Sequence, residues 1–347
     1  MGFFYFMWNN MKDREEILRN FRKALELWFW INVPYCYLFQ PYTGVRYLGA
    51  SKNPNEWAMY LIFALAAFLS EVELEEESIR GKKLIKKIIY FSAIGMILDF
   101  ILKTGSSSGL IPALLMIGYY VFKQMKELTK KNNGKILGRC GGYFLVGSMA
   151  VILMMGVNDI ALKKVSFGLG ITKEAQVAIE DENDLLGMVV NAAEESEMDF
   201  LKNNRVVQKV LNSASLEDFT TGRNLYWMGY LREMNLWGHE NNPVMWGKRR
   251  TAHNGLIAII YRYGIFSAVP YLLMIGYYLL FAVKYKEKIN QKTKMQYFIL
   301  SITGSVGILL FMENVEYPFH YINWYNLYLV MGIYFGNKPQ KQHIEVL

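Results

Sequence analysis

Long apolar runs alternate with short charged segments along most of the chain. Eight runs are close to the roughly 20 residues that a helix needs to cross a bilayer, although several are nearer 15 residues long. The runs are 24–39, 55–72, 88–102, 107–122, 137–157, 266–283, 295–312 and 318–335. Because a helix satisfies its backbone hydrogen bonds internally, this pattern predicts an all-α, polytopic transmembrane helical bundle of about eight spans.

The lysines of the connecting loops predict the side of the membrane that each loop occupies. The lysine-rich short loops are 71–87, 123–139 and 284–296, and the lysine-poor loops that alternate with them are 40–54, 103–106 and 313–317. The positive-inside rule therefore predicts cytoplasmic termini and an extracytoplasmic segment 158–253. The net charge of +8 comes mostly from the inner lysines, so it does not indicate nucleic-acid binding.

These patterns divide the chain into three parts. Residues 1–157 contain the first five predicted spans, preceded by a segment, 10–23, whose apolar side chains recur at the spacing typical of an amphipathic helix on the inner membrane surface. Residues 158–253 form the large extracytoplasmic loop, in which we expect the catalytic residues. Residues 254–347 contain the last three spans and a cytoplasmic tail.

Cationic and titratable side chains are concentrated where the outer loop returns to the membrane. Arg223, Arg249 and Arg250 precede His253 and Asn254. A guanidinium can bind a phosphate through two parallel hydrogen bonds, and an imidazole can take a proton from a hydroxyl. The combination predicts a site for an anionic, lipid-linked substrate. The alternative is that the arginines bind lipid headgroups or pair with nearby carboxylates.

Three more side chains on the predicted outer face are candidates for the same site. Arg46 precedes a helix start at Pro54, where an asparagine on either side can cap the helix and the N-terminus can bind an anion; a plain capped turn is the alternative. Asp99 either faces a cavity and holds an arginine or reaches the lipid headgroups. His239 competes with His253 for the role of base, but we expect its segment to be a solvated turn.

Metal ligands are scarce outside one acidic run. The acidic residues between 180 and 184 could mimic a metal-binding cluster, but they lie in a charged helical pattern that favours a solvated face. The two cysteines, Cys36 and Cys140, are predicted at different depths in the membrane, too far apart for a disulfide. We therefore expect no metal and no other cofactor.

Four short motifs follow one another in a family-specific order. They are R-x-x-G with N-P-N (Arg46, Gly49, Asn53, Pro54, Asn55), T-G-R before a tryptophan (Thr221, Gly222, Arg223, Trp227), A-H-N (Ala252, His253, Asn254) and Tyr263-Gly264-Ile265. Each motif is weak alone. Their order, with the large outer loop before the last spans, resembles the O-antigen ligase and O-antigen polymerase superfamily from about residue 20 to residue 335.

The resemblance implies an all-helical glycosyltransferase of the bacterial cytoplasmic membrane. In that family, outer-loop arginines hold the diphosphate of a polyprenyl-linked glycan and a histidine is the base on the acceptor sugar. Arg223 and His253 match these roles, and Arg249 and Arg250 are added by proximity. The implied reaction is an inverting, metal-independent transfer that polymerises or ligates capsule, exopolysaccharide or O-antigen glycan. The acceptor is another glycan or a lipid, and the residues do not distinguish polymerase from ligase.

The chain departs from the family pattern in two places. Residues 104–109 carry serine where the family's T-x-S-R-G motif has arginine, and we expect Arg46 or Lys103 to substitute. The family normally has several spans before R-x-x-G and this chain has one, as in an N-terminally shortened member or a mis-started reading frame. Two alternatives remain, a transporter or flippase of lipid-linked sugars and an inactive truncated member. Transporters typically show repeats and broken helices, and the sequence shows neither.

Overall fold

The described part of the protein is mostly helical, as predicted. A computed structural model describes residues 14–42, 46–72, 82–130, 134–164, 223–245, 247–249, 251–284 and 293–313. The elements in chain order are α1 (Arg14–Phe39), α2 (Pro54–Glu71), α3 (Lys82–Thr104), α4 (Ser107–Lys130), α5 (Gly134–Lys164), α6 (Arg223–Glu233), β1 (Val244–Met245), β2 (Lys248–Arg249), α7 (Gly255–Lys284) and α8 (Thr293–Met312). The two strands form a short antiparallel hairpin in which Val244 pairs with Arg249.

Within the part of the chain that the structure describes, two helices are long and apolar enough to cross a membrane. Their apolar windows are Leu145–Leu162 in α5 and Gly255–Tyr277 in α7, and a shorter apolar helical segment, Tyr297–Met312, lies in α8. Ile152 of α5 is 70% exposed, as expected of a side chain that faces lipid. These helices support association with a membrane, and the larger number of crossings stays a prediction. The predicted last span, 318–335, lies outside the described residues.

The central helix of the bundle is α2. Every residue from Leu61 to Ser70 is buried, and the helix packs against α1, α3, α4 and α8. A helix that is apolar on all faces is stable only when neighbours surround it. Asn53 caps its N-terminus, because its side-chain oxygen accepts a hydrogen bond from the amide of Asn55 at 2.8 Å. This cap, which the sequence predicted, fixes the turn that carries Arg46.

The first helix differs from its prediction. The charged segment expected on the membrane surface and the first apolar run are one continuous helix, Arg14–Phe39. Arg22 forms ion pairs with Glu26 on the same helix and with Glu71 at the end of α2. The charged half of α1 is therefore joined to the core of the protein, through a contact between residues 49 positions apart that a local pattern cannot show.

Helix α7 is broken at Gly264, whereas the sequence showed no broken helix. Gly264 has φ 77° and ψ 159°, a conformation that essentially only glycine adopts. The segment after α6 packs into the break. The amide of Ile265 donates to the carbonyl oxygen of Asn235 at 3.1 Å, and the amide of His239 donates to the carbonyl oxygen of Tyr261 at 3.0 Å. An isolated glycine in an apolar helical pattern is a weak signal, so only the packing shows the break.

Two glycines permit this close approach of two backbones. A Cβ atom on Gly264 would lie 2.2 Å from the carbonyl oxygen of Leu236, and one on Gly238 would lie 2.3 Å from the carbonyl oxygen of Arg262. Both distances are shorter than any van der Waals contact. The segment 235–239 together with the break at Gly264, which we call the α7 clasp, therefore requires glycine on both sides.

Candidate functional site

Five helix ends meet at one end of the bundle and bring polar side chains together. They are the turn before α2, the start of α4, the start of α6, the turn before α7 and the end of α8. The side chains that they contribute, which we call the Glu313 cluster, are Arg46, Asn55, Ser108, Arg223, His253 and Glu313.

Arg46 lies across the turn between α3 and α4. Its Nε donates to the carbonyl oxygen of Thr104 at 2.9 Å, and its Nη2 donates to the side-chain oxygen of Asn55 at 2.5 Å. Gly105, with φ 57°, makes the turn between these helices, and a Cβ atom there would lie 3.7 Å from Arg46. The turn at residues 104–109, which lacks the arginine expected from the resemblance, therefore has the side chain of Arg46 beside it.

Glu313 follows the end of α8, and the positive charges of Arg223 and Arg46 act on its carboxyl. Ser108 and Asn55 are the hydrogen-bonding side chains that also act on it. Burial raises the pKa of this carboxyl above its ordinary value, and the hydrogen bonds and arginines oppose that shift. The sequence analysis missed Glu313. The available signal was a carboxylate at the outer end of a predicted span, beside a loop with few charges.

Arg223 is the first residue of α6 and reaches the end of α8. Its Nη1 donates to the carbonyl oxygen of Met312 at 3.0 Å, so that the guanidinium lies next to the backbone of Glu313. The end of α8 is itself held in place, because the amide of Glu313 donates to the carbonyl of Leu309 at 2.9 Å. The positive charges of Arg46 and Arg223, 177 residues apart in the chain, therefore both act on the carboxyl of Glu313.

His253 lies in a constrained turn immediately before α7. Its φ of 48° is in the left-handed region, which few residues other than glycine adopt. Asn254 caps α7, since its side-chain oxygen accepts hydrogen bonds from two amides of the first turn at 3.1 Å each. The Nε1 of Trp227 donates to the carbonyl of Ala252 at 2.8 Å. The residues on both sides of His253 are therefore fixed, and Asn254 has a structural role that accounts for its burial.

The imidazole of His253 is suited to accept a proton at neutral pH. It is partly buried, and its Nε2 lies 3.0 Å from the hydroxyl oxygen of Thr251. Burial, and next the positive charge of Arg223, lower its pKa from the ordinary 6.5. The neutral form therefore dominates near pH 7. When Nε2–H donates to Thr251, Nδ1 is left as the proton acceptor.

His239 is not in a solvated turn, which corrects the sequence interpretation. Its ring stacks on Tyr261 with 4.2 Å between the ring centroids, and its Nε2 lies 2.6 Å from the carbonyl oxygen of Glu233. Asn235 also contacts the same nitrogen at 2.9 Å. His239 therefore packs within the α7 clasp. The polar residues around it in the sequence did not indicate that it packs on a helix.

The surroundings of Asp99 match neither of the two roles expected from the sequence. Asp99 does not hold an arginine, and it does not reach the lipid headgroups. It is buried and pairs with Lys103 one helical turn later, and Asn158 of α5 donates to its other oxygen at 2.5 Å. Lys103 also pairs with Asp159 at 2.8 Å. Lys103 is therefore committed to two carboxylates, and of the two expected substitutes for the missing arginine only Arg46 joins the Glu313 cluster.

The remaining candidates lie elsewhere or outside the described residues. The side chain of Arg249 is exposed on β2. Arg250 and the acidic run 180–184 are outside the described residues. The sequence therefore found Arg46, Arg223 and His253 of the cluster, and the structure adds Asn55, Ser108 and Glu313 to them.

Comparison with known proteins gives no match to a protein-family model, to a curated protein or to a solved structure. Function is therefore inferred from the chemistry of the Glu313 cluster and from the order of the sequence motifs.

Proposed function

We propose that the protein is a glycosyltransferase at the outer face of the bacterial cytoplasmic membrane, which polymerises or ligates a glycan carried by a polyprenyl diphosphate. One observation supports this proposal above the others. The charges of two anchored guanidiniums, Arg46 and Arg223, act on one carboxyl, and the charge of Arg223 also acts on His253, which is neutral near pH 7. A diphosphate needs the guanidiniums to balance its negative charge. A hydroxyl nucleophile needs the neutral histidine to accept its proton.

The reaction that we propose is a direct displacement at the anomeric carbon. The acceptor hydroxyl attacks that carbon while the bond from the carbon to the diphosphate oxygen breaks, and the hydroxyl proton passes to His253. The configuration at the anomeric carbon inverts. Arg46 and Arg223 stabilise the charge on the departing polyprenyl diphosphate, and they need no reorganisation because each is anchored to a backbone carbonyl.

The proposal includes a topology with cytoplasmic termini and an extracytoplasmic segment 158–253. It is supported by the alternation of lysine between short loops. In intact cells, cysteines introduced at Glu195 and Asn241 react with a membrane-impermeant thiol reagent, and one introduced at Lys131 reacts only after the cells are opened. Labelling of the Lys131 site in sealed cells would contradict the orientation.

One observation favours a second candidate, a transporter of lipid-linked sugars. Helices broken within the membrane are frequent in transporters, and α7 is broken at Gly264. The backbone groups at this break are largely satisfied by the α7 clasp, which is more typical of a fixed joint than of a moving gate. We therefore rank transport second.

The test of the proposed function is glycan transfer by variants of the full-length protein. His253→Ala and Arg223→Ala are compared with Arg249→Ala, a matched control whose arginine is exposed. In a deletion strain, the first two variants accumulate lipid-linked precursor and lose polymer. A general base contributes about 10²–10⁴ in rate, and loss of Arg223 removes a charge that stabilises the departing diphosphate. The control makes normal polymer.

Purified protein distinguishes the two candidates. A transferase in detergent joins a lipid-linked donor to its acceptor without a membrane, and a transporter gives no product under these conditions. Polymer of normal amount and length from His253→Ala cells, together with inactive purified protein, would favour transport and overturn the glycosyltransferase proposal.

A further inference from the structure

We infer that the tip of the α7 clasp, Leu236 and Trp237, lies in the bilayer at one end of α7 and has the acyl chains of lipids as its partner. The inference goes beyond the proposed reaction, because it needs α7 to cross the membrane but does not need glycan transfer. In the proposed topology these lipids belong to the outer leaflet. The clasp then holds the segment after α6 at a fixed depth in the membrane.

The first argument is the exposure of two large apolar side chains at the tip. Trp237 is 84% exposed, and Leu236 is exposed beside it. The ring of Trp237 lies next to that of Phe266, with 6.4 Å between the ring centroids, and Phe266 is itself 74% exposed. A contiguous exposed apolar surface of this kind marks a site that contacts a partner or a membrane.

The second argument is the continuity of this surface with α7. After Phe266, the side chains of Val269 and Leu273 are exposed, at the intervals of three and four residues that place them on one face of a helix. This face belongs to the window Gly255–Tyr277, which is long and apolar enough to cross a membrane. The exposed ring of Trp237 therefore extends the face that α7 presents to lipid.

The third argument is the depth of the tip along α7. The 21 residues between Arg262 and Lys284 include no charged residue. In a helix, such a stretch is about 30 Å long, which matches the thickness of the hydrocarbon core of a bilayer. Phe266 lies near the start of this stretch, so Trp237 beside it lies near the edge of the hydrocarbon. Tryptophan is enriched at this depth, because its ring is apolar and its N–H is polar.

The fourth argument is that the tip satisfies its backbone polar groups within the protein. The amides of Trp237 and Gly238 both donate to the side-chain oxygen of Asn235, at 2.9 and 2.5 Å. The carbonyl oxygens of Asn235 and Leu236 accept hydrogen bonds from amides that follow the break in α7. Non-helical backbone is tolerated at membrane depth only where the protein satisfies its polar groups. The tip thus pairs its backbone and exposes apolar side chains, as contact with lipid requires.

The experiment places the photoreactive amino acid p-benzoylphenylalanine at Trp237 in the full-length protein, which is reconstituted in nanodiscs of phosphatidylethanolamine and phosphatidylglycerol. The same amino acid at Lys248, an exposed and charged position of β2, is the matched control. After irradiation, intact-protein mass spectrometry gives the mass of the molecule that has been attached. We expect a phospholipid adduct on the Trp237 variant and none on the Lys248 variant.

Three outcomes of this experiment would overturn the inference. The first is a Trp237 variant that gains no lipid on irradiation. The second is a cross-link between two copies of the chain, because the partner of the exposed surface is then another protein molecule. The third is an equal yield of lipid adducts on the Trp237 and Lys248 variants, because contact with lipid is then not a property of the clasp.

A second measurement uses the natural tryptophan. The emission of Trp237 is the difference between wild type and Trp237→Phe, a substitution that keeps an aromatic ring beside Phe266. This difference is lost in nanodiscs of lipid brominated near the carbonyl ends of its acyl chains, since bromine quenches a fluorophore that it contacts. A difference that persists in brominated lipid contradicts the inference.

These outcomes are separable from that of the proposed function. Contact between Trp237 and lipid in a protein that transfers no glycan would leave the inference standing and refute the transferase. Glycan transfer by a protein whose Trp237 gains no lipid would do the reverse.

Discussion

Replacing Gly264 by alanine tests whether the α7 clasp holds the outer segment against the bundle. A residue other than glycine at φ 77° and ψ 159° is strained by about 1–3 kcal/mol. The new Cβ atom would also lie 2.2 Å from the carbonyl oxygen of Leu236, so the two backbones must separate. The substitution therefore acts on the clasp directly and not on the Glu313 cluster.

The magnitude follows from the bonds that the separation breaks. The amides of Ile265 and Phe266 donate to Asn235 and Leu236 at 3.1 and 3.3 Å. Each such bond contributes about 0.5–1.5 kcal/mol. With the strain, the clasp is destabilised by about 2–6 kcal/mol. Because about 1.4 kcal/mol is a factor of ten in an equilibrium, amide exchange at these positions accelerates at least about tenfold.

The assay is hydrogen–deuterium exchange by mass spectrometry on protein purified in detergent, followed in peptides that cover residues 233–267. The matched control is Gly276→Ala in the same helix, where nothing lies within 4 Å of the added Cβ atom. Alanine favours a helix over glycine by about 1 kcal/mol, so this control exchanges as wild type or more slowly. Equal exchange in Gly264→Ala and Gly276→Ala would refute the clasp.

Three further outcomes test the site and its support. Arg223→Lys keeps the charge but loses the paired hydrogen bonds, so kcat/KM for transfer falls about ten- to a hundredfold, whereas Arg249→Lys leaves it unchanged. The acid limb of the pH–rate profile has its midpoint below pH 6.5, since burial and Arg223 lower the pKa of His253 and the base acts only when neutral. His239→Ala reduces thermal stability through lost stacking on Tyr261, and a Tm equal to that of wild type would contradict this role.

The positions of most helices, but not their ends, followed from local sequence patterns. Runs of apolar residues predicted seven segments that the structure describes as helical, and the cap of α2 followed from an asparagine before a proline. Capping and hydrophobic periodicity act within a few residues, so they can be read without knowledge of the fold. The same locality explains the error at α1, where the surface helix and the first apolar run were separated although one helix contains both.

The candidate site was only partly predictable. Arg223 and His253 were identified by their residue types at the edge of the outer loop, and Arg46 by its place before a helix N-terminus. Glu313 was missed, and neither of the two roles considered for Asp99 matches its ion pair with Lys103. Both depend on which helix ends meet, and that is settled by the packing of whole helices.

The sequence by itself determined that this chain forms helices, roughly where most of them lie, and which residue types could bind an anion and accept a proton. The tertiary structure alone decided that the charges of Arg46 and Arg223 both act on Glu313, that Lys103 is held by Asp99 and Asp159, and that α7 breaks at Gly264. The physical reason is the range of the interactions. Helix formation is governed by neighbours three or four residues apart, whereas these charges and backbones meet only after the burial of apolar faces has brought distant helices together.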